Sequence, residues 1–214
     1  MKRWIVIDGL DGSGKSTVAG WIKDYYEARG ESVHVQVHPS DRWAGQLSRR
    51  ALQGKGALMF ALSTAFYIID VLSSVAEMRR EPCKYDDLVF VRYIMGTAYL
   101  PKRIARQGYE IFSKVLPLPE RLLLVDIEPE NALHRIALRE DRQEMFENLP
   151  SLVKSREKML MLSKGWGILN NDGDEAATRR MLNEQLEAWD RAFGTVGDGQ
   201  GPVLAAAEGG VASD

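Results

Sequence analysis

The strongest constraint on the fold is a glycine-rich segment near the N-terminus. It reads Gly9-Leu10-Asp11-Gly12-Ser13-Gly14-Lys15-Ser16 and fits the pattern G-x-x-x-x-G-K-[ST]. An apolar, β-branched run from Trp4 to Ile7 precedes it, and a segment of helical character, Lys15 to Arg29, follows it. In such a strand–loop–helix unit, the backbone N–H groups of the loop and of the helix N-terminus surround phosphate oxygens.

This geometry assigns specific roles to two side chains. Lys15 is expected to reach the β- and γ-phosphates of a nucleotide, and the Ser16 hydroxyl is expected to coordinate Mg²⁺. The nucleotide-binding residues predicted from the motif and its flank are Gly9, Asp11, Gly12, Ser13, Gly14, Lys15, Ser16 and Thr17.

The motif alone does not decide which reaction follows. A GTPase needs an Asn-Lys-x-Asp sequence after a later strand, and the nearest match, Asn170-Asn171-Asp172, lacks the lysine. Asp126 ends the apolar run Leu122 to Val125, as an acidic residue does in large ATPases. It can equally be an ordinary residue at a strand end, and both interpretations stay open.

Apolar runs alternate with helical segments along the rest of the chain, which indicates βαβ crossovers and an α/β fold whose parallel sheet is covered on both faces. Residues 1–194 are predicted to form one domain. Residues 195–214 are rich in Gly and Ala and contain no aromatic residue, so we expect a disordered tail. The strands are predicted at 4–7, 33–37, 88–91, 122–127 and 167–169, and the helices at 15–29, 44–52, 58–80, 102–115, 129–139, 152–163 and 174–193.

Composition excludes several classes of protein. The chain carries 28 Lys and Arg against 30 Asp and Glu, a formal charge of −2, which argues against a nucleic-acid-coating protein. The single cysteine, Cys83, excludes an internal disulfide framework and a multi-cysteine zinc site. A reducing compartment fits best, and a cytoplasmic location is expected.

One long apolar segment tests the expectation of a soluble chain. Between Ala57 and Ala76 the only charged residue is Asp70, over a length close to that of a bilayer span. A charge and several hydroxyl side chains inside the segment favour a buried helix over a membrane-spanning one. No membrane partner is therefore expected.

Arginines cluster in the second half of the chain. Arg135, Arg139 and Arg142 share one face if the segment is helical, and Arg156 follows on the next predicted helix. A solvated helix with ion pairs to neighbouring carboxylates explains this pattern. In a phosphate-binding protein, a lid at about 139–150 that stabilises phosphoryl transfer explains it as well.

Taken together, these residues make the sequence similar to the thymidylate kinases, over about Lys2 to Phe193. The opening and final blocks are the specific ones. The similarity rests on Ile7 to Thr17, Pro39-Ser40-Asp41 with Gly45 and Arg49, Phe60-Ala61, Arg92-Tyr93, and Asp126 to Ile136 with Arg139 and Arg142.

The resemblance implies a P-loop fold with a doubly wound, five-stranded parallel sheet flanked by helices, a small helical lid and a homodimer that packs through helix 57–76. It also implies transfer of the ATP γ-phosphoryl group to a deoxynucleoside monophosphate, most directly dTMP to dTDP. Asp11 would then hold the acceptor sugar 3′-hydroxyl, and Arg49 and Arg92 its 5′-phosphate. Phe60 and Tyr93 would be acceptor-side aromatics, and the catalytic residues would be Lys15, Arg92, Arg139 and Arg142.

The sequence departs from the family pattern on the acceptor side. Val91 stands where the family usually has Asp, Ser63-Thr64 where it has Asp-Arg, and Val37-His38 where it has Arg-Glu. These departures leave open a kinase for another nucleotide or nucleoside, or a degenerate ATP-binding regulatory module. They also leave open a metal bound by Asp8 or Asp126 together with Ser16.

Overall fold

A five-stranded, all-parallel sheet forms the centre of the computed structural model, which describes residues 1–54, 56–100, 102–138 and 148–193. The strand order is β2-β3-β1-β4-β5, so β1 pairs with β3 on one side and with β4 on the other. The predicted doubly wound sheet is confirmed. The strands are β1 (Arg3–Gly9), β2 (Val33–Val37), β3 (Asp87–Val91), β4 (Arg121–Asp126) and β5 (Gly167–Asn170).

Seven α-helices in the described residues connect and cover these strands, close to the bounds predicted from the sequence. A 3₁₀ helix (Met95–Tyr99) follows β3 and was not predicted. The predicted lid residues 139–147 and the predicted tail lie outside the described residues. The helices are α1 (Lys15–Glu27), α2 (Trp43–Leu52), α3 (Ala57–Arg80), α4 (Lys102–Val115), α5 (Pro129–Ala137), α6 (Leu149–Leu162) and α7 (Glu175–Phe193).

Two apolar layers sandwich the sheet, because successive strand residues point to opposite faces. Ile5 and Ile7 of β1 pack in the layer that contains side chains of α1 and α7. Trp4 and Val6 pack in the other layer, with side chains of α3 and α6 and with Leu116, which directly follows α4. β1 is the central strand of the sheet and is buried along its whole length, so the loop after it lies at the centre of the sheet's carboxyl edge. In a doubly wound sheet, ligands bind at this edge, where the strand order reverses.

Helix α3 differs from the buried helix that its sequence predicts. It is long and apolar enough to cross a membrane by length and composition, yet only 28% of its most apolar window is buried. Its inner face contains Asp70, which is fully buried, while Leu58, Leu62 and Leu72 remain exposed. The helix is therefore two-sided, and its outward apolar side has no cover within the described part of this chain.

Candidate active site

The glycines of the loop between β1 and α1 are required by close backbone approach. Gly12 and Gly14 have left-handed backbones, with φ of 81° and 88°. A Cβ on Gly12 would lie 2.5 Å from the Ala132 carbonyl oxygen, and one on Gly14 would lie 2.4 Å from Asn171 Nδ2. Gly9 is similarly constrained, since its Cβ would lie 2.3 Å from the Val125 carbonyl oxygen. Only glycine fits these positions, so the loop can wrap closely around a phosphate.

Lys15 is positioned by this loop. Its Nζ donates to the carbonyl oxygens of Gly9 (2.9 Å) and Leu10, and it lies 3.8 Å from Asp11 Oδ1. Lys15 also opens α1, whose first intrahelical bond runs from the Val18 N–H to the Gly14 carbonyl. The earlier N–H groups of this helix end have no partner within the helix and, with the positive end of the helix dipole, suit the binding of an anion.

Three hydroxyl side chains lie at the same helix end. Ser16 and Thr17 are exposed on the first turn of α1. The Ser13 hydroxyl is buried and has no hydrogen-bond partner among the residues that the structure describes. Such an orphaned polar atom in a glycine-lined loop fits a nucleotide phosphate, and Ser16 fits Mg²⁺, which binds through few protein ligands and substrate phosphates.

Two residues brace the loop from the other side. Asn171, just after β5, donates from Nδ2 to the Ser13 carbonyl oxygen at 2.7 Å. Arg135 on α5 donates to the Asn171 carbonyl oxygen at 2.8 Å. Arg135 therefore lies beside the phosphate loop, whereas Arg139 and Arg142, predicted to be catalytic, lie outside the described residues.

Asp11 joins the phosphate loop to the acceptor side. Arg92 donates to Asp11 Oδ1 at 2.7 Å, and the Tyr99 hydroxyl donates to Asp11 Oδ2 at 2.9 Å. Burial by itself would raise the pKa of Asp11, but the positive charges of Arg92 and Lys15 outweigh it and hold the pKa well below its usual range. Asp11 is therefore a carboxylate at neutral pH, placed between both predicted binding sites.

A cavity of about 270 Å³ opens beside this group. Every residue predicted to bind the acceptor lines it, namely Asp11, Arg49, Phe60, Arg92 and Tyr93. The Tyr93 ring is buried against Trp4 and Phe90, and its hydroxyl donates to the Pro117 carbonyl oxygen at 2.9 Å. Tyr93 thus forms part of the cavity wall, and its hydroxyl is occupied by the bond to Pro117.

Arg49 is held at the rim of the cavity by the loop before α2. It donates to the Pro39 carbonyl oxygen at 2.6 Å and to Asp41 at 2.7 Å. The same loop is fastened to α3, because Asp70 accepts hydrogen bonds from the Ser40 N–H (2.6 Å) and from the Ser40 hydroxyl. The only charged residue between Ala57 and Ala76 therefore orders the loop that presents Arg49.

The departures from the family pattern have different structural outcomes. Val91 is fully buried in the apolar layer beside α1. Ser63 exchanges hydrogen bonds with Ser48 of α2, and the Thr64 hydroxyl donates to the Phe60 carbonyl oxygen at 2.9 Å. Ser63 thus joins two helices, and both Ser63 and Thr64 line the cavity.

His38 also lines the cavity but is fully buried. Its Nε2 lies 2.8 Å from the Ser74 hydroxyl. Burial lowers the pKa of His38 to about 4, so the ring is neutral near pH 7.

Both carboxylates considered as alternative metal ligands have hydrogen-bond partners in this arrangement, Asp126 on both oxygens and Asp8 on Oδ2. Asp8 accepts three backbone hydrogen bonds on one oxygen, and Asp126 forms a two-pronged ion pair with Arg156, at 2.8 and 2.9 Å. Among the residues described, no group of three or more His, Cys, Asp or Glu side chains could hold a metal. Ser16 is the predicted metal ligand that remains in an open position.

Sequence reasoning missed three structural contributions. They are the hydrogen bonds of Tyr67 to the Arg92 carbonyl, of Tyr99 to Asp11 and of Asn171 to the Ser13 carbonyl. Nothing in the local sequence pattern distinguishes the three donors from core or loop residues. Asp70 did carry a signal. A charged residue in the middle of an apolar stretch needs a partner when it is buried, and the partners of Asp70 are Ser40 and, at 4.0 Å, Arg42.

Comparisons with known proteins agree with this geometry. The thymidylate kinase family model matches residues 7–179. A probable thymidylate kinase of Methanosphaera stadtmanae is 31% identical over 173 residues, covering 75% of this chain and 84% of that protein. One of Archaeoglobus fulgidus is 30% identical over 161 residues, covering 73% and 80%. The solved structure of thymidylate kinase from Candida albicans superimposes with a TM-score of 0.67 at 17% identity, covering 89% of this chain and 92% of the other, which shows the shared fold.

Proposed function

The chain belongs to the thymidylate kinase family, and from this premise we propose that it transfers the γ-phosphoryl group of ATP to dTMP, giving dTDP and ADP. The observation that carries the proposal is the Asp11–Arg92 pair, because it joins the phosphate loop to the acceptor cavity. The family comparisons do not favour the two alternatives of another acceptor or a degenerate regulatory module.

The reaction is an in-line displacement. An oxygen of the acceptor phosphate attacks the γ-phosphorus, and the bond from that phosphorus to the β–γ bridging oxygen breaks to release ADP. Catalysis comes from positioning and from stabilising charge on the transferred group, rather than from covalent chemistry. ATP fits between Gly9 and Thr17, while the acceptor fits the cavity beside Arg49 and Phe60.

Specific side chains perform these tasks. Lys15 exchanges its two loop carbonyl partners for phosphate oxygens, and Arg92 turns between Asp11 and the acceptor phosphate. Asp11 accepts from the acceptor sugar hydroxyl. Arg139 and Arg142, predicted from the sequence to be catalytic, contribute positive charge to the transferred group. When bound, Mg²⁺ neutralises phosphate charge, and Ser16 is the residue that would hold it.

A panel of acceptors tests the proposal. Purified protein with Mg-ATP is offered dTMP, dUMP, dCMP and thymidine, and ADP release is followed by a coupled assay. Turnover is expected with dTMP. Release of ADP with thymidine but not with dTMP would contradict the proposed function. Lys15→Ala is expected to abolish transfer, whereas the control Lys23→Ala, an exposed lysine on the same helix, should retain it.

We further propose that the outward side of α3 packs against the same helix of a second copy. A membrane is the competing occupant of so apolar a surface, but the buried Asp70 ties the inner side of α3 to a polar loop. An exposed thiol, Cys83, is compatible with the cytoplasmic location we propose.

The oligomeric state tests this interface. Sedimentation equilibrium should give a dimer for the wild type and a monomer for Leu62→Glu. The control Ile111→Glu changes an exposed apolar residue on α4 and should stay dimeric. A monomeric wild type would refute the interface.

A further inference from the structure

Arg92 has an unusual backbone. Among the described residues other than glycine, it is the one with a left-handed conformation, at φ 61°. Such a conformation is unfavourable for a residue with a side chain, and it persists only where the surroundings fix it. The surroundings of Arg92 therefore show what aims its guanidinium at Asp11.

Part of this fixation comes from β1. The Arg92 N–H donates to the Ile7 carbonyl oxygen at 2.9 Å. The next three N–H groups, those of Tyr93, Ile94 and Met95, all donate to Asp8 Oδ2 at 3.0–3.2 Å. The peptide units on both sides of Arg92 are thus anchored to the strand that leads into the phosphate loop.

A further contact comes from a different element. The Tyr67 hydroxyl, on α3, donates to the Arg92 carbonyl oxygen at 2.8 Å and lies 3.3 Å from the Tyr93 carbonyl oxygen. Burial and the nearby Asp8 raise the pKa of Tyr67 well above its usual value, so the hydroxyl stays protonated and remains a donor. The Tyr67 ring also forms part of the acceptor cavity wall.

We propose that Tyr67 is a positioning residue for phosphoryl transfer, since its hydroxyl holds the Arg92 backbone in the left-handed conformation that directs the guanidinium to Asp11 and the acceptor. The role at the acceptor rests on the proposed function. Without this bond the anchors to β1 remain, but the Arg92 carbonyl loses a partner, so the left-handed conformation and the direction of the guanidinium are held less firmly.

Tyr67→Phe tests the proposal, because it removes the hydroxyl and keeps the ring in the cavity wall. It is expected to raise KM for dTMP and to lower kcat, reducing kcat/KM about tenfold, the effect of losing one hydrogen bond of ordinary strength. KM for ATP should change less than twofold. Tyr26→Phe is the matched control, as its hydroxyl bonds Asp190 at 3.2 Å in the opposite apolar layer.

A double variant separates positioning from general loosening of the fold. In an Arg92→Lys background, which replaces the guanidinium, Tyr67→Phe should lower kcat/KM by less than twofold, because its effect passes through Arg92. A full tenfold loss in that background would overturn the proposal. So would equal changes in the KM values for dTMP and ATP.

Hydrogen exchange gives a measurement that needs no acceptor. The amides of Tyr93, Ile94 and Met95 should exchange several-fold faster in Tyr67→Phe than in the wild type, and at the wild-type rate in Tyr26→Phe. Unchanged exchange in Tyr67→Phe overturns the proposal. Absence of dTMP turnover by the wild type would instead refute the proposed function, while the exchange result would still decide whether Tyr67 holds the Arg92 loop.

Discussion

Replacing Asp70 tests the role of the inner side of α3 and leaves the exposed apolar side of the helix unchanged. The carboxylate is fully buried and accepts two hydrogen bonds from Ser40, one from the backbone N–H and one from the hydroxyl. Hydrogen bonds to a charged group contribute about 1.5–3 kcal/mol each, against about 0.5–1.5 kcal/mol for neutral pairs. Asp70→Asn keeps the shape and loses the charge, so it should lower the free energy of unfolding by about 2 kcal/mol.

The alanine variant is more severe. Asp70→Ala loses both bonds and leaves two buried donors of Ser40 without an acceptor, which corresponds to about 3–6 kcal/mol. Because the Ser40 loop also presents Pro39 and Asp41 to Arg49, both variants should raise KM for dTMP more than KM for ATP.

Urea denaturation followed by circular dichroism measures the stability change. Glu77→Gln is the matched control, an exposed carboxylate on the same helix that pairs with Arg42 and should contribute less than about 1 kcal/mol. If Asp70→Asn unfolds at the same urea concentration as Glu77→Gln, the assignment of Asp70 as the anchor of the loop is wrong.

Three further predictions follow from the geometry. The free energy of unfolding should fall as the pH drops from about 6.5 to 4, because in this range the unfolded chain protonates His38 and the folded protein does not. Burial lowers the pKa of His38 in the folded protein to about 4, so the loss approaches about 3 kcal/mol. This loss should be absent from the pH profile of His38→Gln. Gly12→Ala should cost more stability than Gly30→Ala and should also weaken ATP binding measured by calorimetry, because both glycines have φ of 81° but only at Gly12 would the Cβ collide with backbone. Val91→Asp places a carboxylate in an apolar layer, so it should lower the free energy of unfolding measured in urea by several kcal/mol and should not raise turnover. Faster turnover would show instead that the missing acidic residue limits catalysis.

The fold was largely predictable because its signals are local. The glycine-rich loop follows the first strand, and each later strand is an apolar run bounded by helical periodicity. The spacing of apolar residues is enough to predict such elements. The Met95–Tyr99 helix was not predicted, because it depends on Asp8 accepting hydrogen bonds from a segment distant in sequence.

The site was predictable in part, for the same reason. Lys15, Asp11 and Arg92 could be assigned from motifs, and the structure brings them together. The availability of a carboxylate is not a local property. Whether Asp126 is free depends on Arg156, which approaches from another helix and occupies both carboxylate oxygens. Pairing of this kind is decided by tertiary structure.

The outward side of α3 has a consequence for how two copies would meet. Six of its exposed apolar residues recur at alternating intervals of four and three, at Leu58, Leu62, Ala65, Ile69, Leu72 and Ala76. Equivalent positions in this pattern recur every seven residues, as Leu58, Ala65 and Leu72 do. A seven-residue repeat corresponds to about 3.5 residues per turn, slightly less than the turn of a straight helix, so the stripe follows a gentle left-handed spiral around the axis. Two such helices would therefore cross at a shallow angle of about 20°, with knobs of leucine and isoleucine entering the holes of the facing helix. The alanines would allow a close approach of the two axes, so the contact would run along most of the helix rather than meet at one point.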